Sequence, residues 1–189
     1  FEPDLLSYRV AHALLCESTF HPLYSDFVKK IIPLEDSGAQ KSTGVGFSTI
    51  RALGAVFLSL PNVENELQPY DLVINMAHEL GHQCLFLLQL GDQLVAPNYK
   101  EVIFSSIKNE YRPPLMALHA LVALTFINTM IDQLLKRPSL SALQRRFVEN
   151  RRKRYQDLYH TATLEFVGCP MTPLGQGIVN EIFKHSLAV

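Results

Sequence analysis

The chain lacks tryptophan altogether and has only three cysteines among its 189 residues. Cys16, Cys84 and Cys169 are odd in number and far apart in the sequence, which argues against a disulfide framework and for a reducing compartment. The first residues, Phe1 to Asp4, are acidic and lack the basic start of a signal peptide. We therefore expect a cytoplasmic protein.

The sequence also lacks an excess of either charge and a long, uninterrupted apolar run. Its 17 Lys and Arg residues oppose 18 Asp and Glu residues, and the net charge of -1 provides no overall field that would recruit nucleic acid. The nearest approach to a membrane span, Leu115 to Leu135, is interrupted by His119, Asn128 and Asp132. We expect neither nucleic acid nor a membrane as a partner.

Helical periodicity is the main structural signal in the sequence. At 189 residues, 48% of them hydrophobic, the chain suits one domain over residues 1–189 with a substantial core. One short apolar run, Gly54 to Leu60, is closed by Pro61 and predicts a strand, whereas residues 34–49 predict a loop. The predicted helices are residues 3–31 with a break at Pro22, residues 71–90, 114–136 and 141–159, and a short final helix that ends at His185.

The most informative segment is His78-Glu79-Leu80-Gly81-His82, an HExxH motif inside the predicted helix over residues 71–90. Histidines four residues apart stand on the same face of a helix, so two imidazoles can bind one metal ion. Glu79 can lean toward an open coordination position. The flanking residues are almost wholly apolar, and buried polar side chains need partners. We predict that His78 and His82 are metal ligands; the alternative is a pair of core histidines bonded to backbone carbonyls.

A working metal site usually needs a third protein ligand. His119 is favoured because it lies in a second apolar helix, where another buried histidine would need a partner. The motif and this second helix together predict a mainly α fold, a single helical domain with a metal site between two buried helices and one short edge strand. The candidates for the third ligand are Glu101, Glu110, His119, His160 and Cys169.

A cation near His119 could anchor an anionic ligand. Arg112 precedes His119 by seven residues, close to two helical turns or about 10 Å along the axis, on nearly the same face. Its guanidinium could hold a carboxylate through two parallel hydrogen bonds, so a small dicarboxylate could bridge the metal and Arg112. Lys108 is a second candidate cation, and an ordinary surface position is the alternative for Arg112.

Four blocks of the sequence carry a family resemblance: Leu53 to Ser59, His78 to His82, Ser106 to Pro113 with the following Leu118-His119-Ala120, and Met171 to Gly175. They are similar to the FGAVWLS-type segment, the HExxH motif, the PWRDDPRP and LHG segments and the LTPLG segment of the 2-oxoglutarate-dependent HExxH-type peptide beta-hydroxylases. The blocks cover residues about 44–186. Ile107 and Lys108 stand where the family has Trp and Arg, and Ala120 stands where it has Gly. We expect these differences to affect the substrate more than the metal.

The resemblance implies an iron(II) site with His78, His82 and His119 as ligands, 2-oxoglutarate as the cosubstrate and dioxygen as the oxidant. It implies hydroxylation of a C–H bond, at the beta-carbon, of an amino-acid side chain in a peptide or of an amino acid, as in natural-product biosynthesis. Arg112, with Lys108, would anchor the distal carboxylate of 2-oxoglutarate. Glu79 would orient water, substrate or a ligand imidazole.

Two other classes of protein fit the same residues. A zinc metallohydrolase (an HExxH peptidase) would use the same three histidines, with Glu79 as the general base that activates a water molecule. An interaction protein with a degenerate site would use the basic helix from Arg145 to Arg154 to contact an acidic partner, a leader peptide or a phosphate. A solvated helix face is the alternative for that basic helix. Loss of function on chelation would separate either enzyme from the interaction protein.

Overall fold

The computed structural model describes residues 5–34, 46–59 and 65–187. Helix accounts for 63% and strand for 12% of these residues, which confirms the predicted mainly α class. The helices are α1 (Leu5–Cys16), α2 (His21–Phe27), α3 (Gln68–Gly91), α4 (Pro114–Leu135), α5 (Ala142–Leu164) and α6 (Pro173–Leu187), with a short 3-10 helix over Ile50–Ala52. The strands are β1 (Lys30–Leu34), β2 (Gly46–Phe47), β3 (Ala55–Ser59), β4 (Ile103–Ser105) and β5 (Glu110–Arg112).

The core is centred on α3 and α4, the two apolar helices that the sequence predicts. Leu80 of α3 and Leu118 and Leu121 of α4 are fully buried. Gly81 permits the close approach of the two helices, because a Cβ atom at this position would lie 3.1 Å from the Ala123 Cα atom and 3.2 Å from Phe126 Cγ. Gly81 thus determines how closely α4 approaches the HExxH motif.

The helix α4 is long and apolar enough to cross a membrane by length and composition, but 61% of its most apolar window is buried inside the structure. The core helix of a soluble protein has the same two properties. Its buried side packs against α3 and α5, and this packing accounts for its apolar composition.

A three-stranded sheet covers part of α3, with the strand order β1-β3-β2. The predicted strand over residues 54–60 is present as β3, and its last residue lies outside the described part of the chain. It was predicted as an edge strand, which is wrong: β1 pairs with it in parallel on one side and β2 pairs antiparallel on the other. Val56 and Leu58, on the inward face of β3, are buried at 1% exposure.

The strand β1 falls where the sequence predicts the end of a helix over residues 3–31. That prediction is wrong after Phe27, because the backbone N–H groups of Lys29 and Lys30 both donate to the Gly54 carbonyl. Gly54 has a φ of 80°, a conformation that glycine adopts without strain. The predicted loop over residues 34–49 lies mostly outside the described residues.

A β-hairpin, β4–β5, stands immediately before α4. The sequence predicts only irregular structure here, and it places Arg112 two helical turns before His119. This placement is wrong, because α4 begins at Pro114 and Arg112 is the last residue of β5. The physical reason is the Pro113-Pro114 pair, since a proline pushes the preceding residue into an extended conformation.

The last two helices are longer than predicted and close the domain. Ser141 and Gln144 form a capping box at the start of α5, and an ion pair of 2.6 Å joins Arg151 of α5 to Asp71 in the first turn of α3. The helix α6 begins at Pro173 and packs against α5. These contacts hold the N-terminal end of the motif helix within the domain.

Candidate metal centre

Three histidines come together where α3 and α4 cross. His78 and His82 stand one turn apart on α3, and their Nε2 atoms are 3.0 Å apart. His119 reaches them from α4, and its Nδ1 atom lies 3.2 Å from Nδ1 of His82. His119 is buried at 7% exposure, whereas His78 keeps 38% of its side chain exposed, so the cluster is open to solvent on the side of His78.

The nitrogen atoms of the three rings form a continuous chain of polar contacts. The Gln89 amide nitrogen lies 2.8 Å from Nε2 of His119, and the chain continues through His82 to His78. Each ring can accept from one neighbour and donate to the next, so these neutral imidazoles satisfy one another. These ring nitrogens therefore have polar partners without a metal ion.

The donor atoms fit a shared metal ion only in part. The Nε2 atoms of His78 and His82 lie within the spacing of two ligands on one ion, since metal–nitrogen bonds are about 2.0–2.1 Å long. His119 faces the other nitrogen of His82, and among the described residues no group of three His, Cys, Asp or Glu side chains is arranged to hold a metal as it stands. A half-turn of the His82 ring about its Cβ–Cγ bond would exchange Nε2 with Cε1 and place Nε2 between the other two histidines.

Desolvation makes all three histidines poor bases, His78 included, although part of its side chain is exposed. Desolvation lowers the pKa of His78 to about 4, helped by the charge of Lys108. Desolvation also lowers the pKa of His82 to about 3, with contributions from the two other histidines and Lys108, and the pKa of His119 to about 4. The three rings are neutral near pH 7, which is the form that binds a metal ion.

Glu79 is buried at 2% exposure beside this cluster. Its Oε2 atom accepts a hydrogen bond of 2.7 Å from the hydroxyl of Ser48, and its Oε1 atom lies 3.9 Å from Nε2 of His78. Desolvation raises the pKa of Glu79 to about 7, although the hydrogen bond from Ser48 opposes this shift. A carboxyl group of this pKa can take up or release a proton near neutral pH.

Four residues that support the cluster are absent from the sequence-based prediction: Ser48, Gln83, Phe86 and Gln89. Gln83 is fully buried and ties α3 to β3, since it accepts from the Gly54 N–H and donates to the Ala55 carbonyl. The Phe86 ring lies 4.6 Å from the His119 ring, centroid to centroid. The sequence offered one signal for Gln83, Phe86 and Gln89, namely that they follow His82 by one, four and seven residues on the motif helix.

The two predicted anion anchors have different surroundings. The Arg112 side chain is 20% exposed and pairs with Glu110, with 2.9 Å between Nη2 and Oε1. Lys108 is exposed in the turn of the β4–β5 hairpin, and its charge acts on His78 and His82. The hairpin is fixed at this turn, because the Ser106 N–H donates to the Glu165 carboxylate at 2.6 Å. Lys108 is thus close enough for its charge to act on His78 and His82.

The other four candidates for a third ligand are engaged elsewhere. Glu110 pairs with Arg112, and Glu101 interacts with Tyr99. His160 lines a separate cavity with side chains of α4 and α5, and Cys169 is buried after the end of α5. Of the five candidates, His119 is the one that contacts a motif histidine in the described part of the chain.

Comparison with protein-family models and with curated proteins finds no match to this chain. The family resemblance therefore stands on the four sequence blocks alone.

Proposed function

We propose that this protein is a non-haem iron(II) and 2-oxoglutarate-dependent oxygenase that hydroxylates the beta-carbon of an amino-acid residue in a peptide, or of an amino acid. His78, His82 and His119 would hold the iron. The observation that carries the proposal is the contact of His119 with His82 across two helices, 37 residues apart in sequence. Three neutral imidazoles at a helix crossing are a donor set suited to a first-row divalent metal.

The proposed reaction consumes one 2-oxoglutarate and one dioxygen for each hydroxyl group formed, and it releases succinate and carbon dioxide. Bound iron would supply the site at which dioxygen is activated. Lys108 and Arg112 would hold the distal carboxylate of 2-oxoglutarate, which must approach from the open side near His78. Glu79, held by Ser48, would orient the His78 ring or a water molecule.

A zinc metallohydrolase is the second candidate function, and two observations favour it. Glu79 is a carboxyl group with a pKa of about 7, next to a motif histidine, and such a group suits a general base for water attack on a peptide carbonyl. In addition, the ion pair with Glu110 occupies the guanidinium of Arg112. The four sequence blocks favour the oxygenase.

The three cysteines bear on the location of the protein. Cys16, Cys84 and Cys169 are free thiols, and such thiols persist in a reducing compartment. We therefore propose a cytoplasmic enzyme whose partners are a peptide or amino-acid substrate and dioxygen, without nucleic acid or membrane.

The experiment that tests this function is an anaerobic titration of the metal-free protein with iron(II) and then with 2-oxoglutarate. Chelation of the iron by the 2-oxo acid produces a weak visible charge-transfer band. We expect the band in the wild-type protein, its loss in His119→Ala, and its retention in the matched control His160→Ala, whose histidine lines a separate cavity.

Two other outcomes would contradict these expectations. Iron(II) that binds without a band on addition of 2-oxoglutarate would leave the zinc hydrolase as the better assignment. The hydrolase predicts that zinc supports peptide cleavage and that Glu79→Gln abolishes cleavage while zinc stays bound. Retention of the band in His119→Ala would exclude His119 as a ligand.

A further inference from the structure

Gln89 ends the chain of polar contacts that runs through the three histidines. Its side-chain Nε2 atom lies 2.8 Å from Nε2 of His119, and Nδ1 of His119 lies 3.2 Å from Nδ1 of His82. An amide nitrogen donates hydrogen bonds and does not accept them, so Nε2 must be the accepting nitrogen of the His119 ring. The single proton of this neutral imidazole then lies on Nδ1, on the side that faces His82.

The positions of the other ring protons follow from this first contact. The His119 Nδ1–H donates to Nδ1 of His82, which leaves the proton of the His82 ring on Nε2. That Nε2–H in turn donates to Nε2 of His78, 3.0 Å away. Nδ1 of His119 and Nε2 of His82 therefore carry protons, and a metal ion binds only the unprotonated nitrogen of an imidazole. The orientation of one amide group thus determines which nitrogens are available to a metal.

The orientation of the His119 ring is determined by its neighbours on α3. The side chain is buried at 7% exposure, and its ring centroid lies 4.6 Å from that of Phe86 and 5.4 Å from that of His82. Nδ1 is the nitrogen that faces His82, whereas Nε2 faces Gln89. A metal ion shared with the two motif histidines would therefore bind to Nδ1 of His119.

Gln89 can supply the hydrogen bond that this coordination requires. When Nδ1 of His119 binds a metal ion, the ring proton is on Nε2, which becomes a donor and needs an acceptor. A half-turn about the last side-chain bond of Gln89 exchanges its amide nitrogen for its amide oxygen. The side chain of Gln89 borders a cavity of about 370 Å³, which leaves room for this turn.

We propose that Gln89 is a positioning residue for the metal site, which directs His119 to bind the metal through Nδ1 and accepts the Nε2–H of the bound ring. The inference rests on the metal centre of the proposed function, and it applies to iron and zinc alike. Metal-binding histidines usually donate their second N–H to a carboxylate, a backbone carbonyl or water. A glutamine differs from a carboxylate because it can donate to the metal-free ring and accept from the metal-bound ring.

Zinc alone, added to the isotope-labelled metal-free protein, is the probe that tests this role. Long-range proton–nitrogen correlation spectra distinguish protonated, unprotonated and metal-bound ring nitrogens, and His119→Asn identifies the His119 signals. Zinc affinity is measured in parallel by competition with a chromophoric chelator. In the wild-type protein we expect the His119 proton on Nδ1 without metal, and zinc on Nδ1 with the proton on Nε2 after metal is added.

Two substitutions of Gln89 separate its hydrogen bond from its bulk. Gln89→Glu offers only acceptors, so His119 should carry its proton on Nε2 even without metal, and zinc should bind at least as tightly as to the wild-type protein. Gln89→Met keeps the length of the side chain but neither donates nor accepts in this way, and it should weaken zinc binding about 10- to 100-fold. The matched control is Gln93→Met, at a glutamine that lines the same cavity and forms hydrogen bonds through its main chain. Both measurements should be unchanged in this control.

Coordination of zinc through Nε2 of His119, or an unchanged zinc affinity in Gln89→Met, would overturn the role of Gln89 and leave the proposed function in place. The same His119 tautomer in the metal-free wild-type and Gln89→Glu proteins would show that the amide does not determine the ring, and the role would again be wrong. Zinc that binds none of the three histidines would overturn the metal centre itself. Zinc on Nδ1 of His119 without an iron and 2-oxoglutarate band would retain the role of Gln89 and overturn the oxygenase.

Discussion

Arg112 and Lys108 differ in what competes for their charge. Glu110 already accepts two contacts from the Arg112 guanidinium, at 2.9 and 3.1 Å, so a ligand carboxylate must displace it. Lys108 is exposed, and its charge lowers the pKa of His78. The structure therefore makes Glu110 a competitor of any anion that Arg112 would bind.

The first prediction follows from this competition. Glu110→Gln should strengthen the binding of 2-oxoglutarate to the iron-loaded protein about 2- to 5-fold, because a partly exposed ion pair is worth about 1 kcal/mol or less. The measurement is the 2-oxoglutarate concentration that gives half of the charge-transfer band. Glu101→Gln, a nearby acidic side chain that does not pair with Arg112, is the control. An unchanged affinity in Glu110→Gln, with weakened binding in Lys108→Ala, would assign the anchor to Lys108 alone.

The sequence predicts which histidines form the cluster, but it predicts few of the residues that contact them. His78 and His82 are predictable because their spacing matches the helical turn, and His119 because a histidine in an apolar helix needs a partner. Ser48 and Gln89 contribute to the site through contacts with side chains of other helices or with distant residues. A local sequence pattern does not predict which carboxylate a distant hydroxyl contacts, or which imidazole a distant amide contacts.

The secondary-structure elements also divide into those that the sequence predicts and those that it does not. The long helices α3, α4 and α5 are predictable because their apolar periodicity extends over many turns and proline or a capping box marks their starts. The strands β1, β4 and β5 are only three to five residues long. Such short segments are determined by the partner strand and not by their own pattern, so β1 was assigned to a helix.

The junction between α6 and the segment after α3 yields the second prediction. Gly175→Ala should destabilise the protein by at least about 1–3 kcal/mol, because its Cβ would overlap the Leu94 carbonyl oxygen and force the backbone apart. Gly177→Ala, two residues further along α6, meets no atom within 4 Å and should raise stability by up to about 1 kcal/mol through helix propensity. Urea unfolding of the two variants provides the comparison. Equal stability of the two variants would show that the contact of Gly175 with Leu94 does not hold the segment after α3 against α6.

At the scale of the whole molecule, the histidine cluster and Glu79 are four titratable groups whose pKa values are displaced in opposite directions. The three histidines have pKa values of about 3 to 4 in the folded protein against an ordinary value of 6.5, so only the unfolded chain takes up their protons between these values. Their effect is a loss of stability as the pH falls below 6.5. Glu79 has a folded pKa of about 7 against 4.5, so it holds its proton only in the folded state, and stability is lost as the pH rises from 4.5 to 7.

Between pH 4.5 and 6.5 these two effects oppose each other, and three histidines outweigh one glutamate. The metal-free protein should therefore lose stability on acidification through this range, as measured by urea unfolding in the presence of a chelator. Glu79→Gln removes the opposing contribution, so its stability should fall more steeply with decreasing pH than that of the wild-type protein. His82→Asn should make the fall shallower, because it removes one group that must stay neutral on folding. A Glu79→Gln slope shallower than that of the wild-type protein would mean that Glu79 is ionised in the folded state, and the raised pKa on which its role as a proton acceptor depends would be wrong.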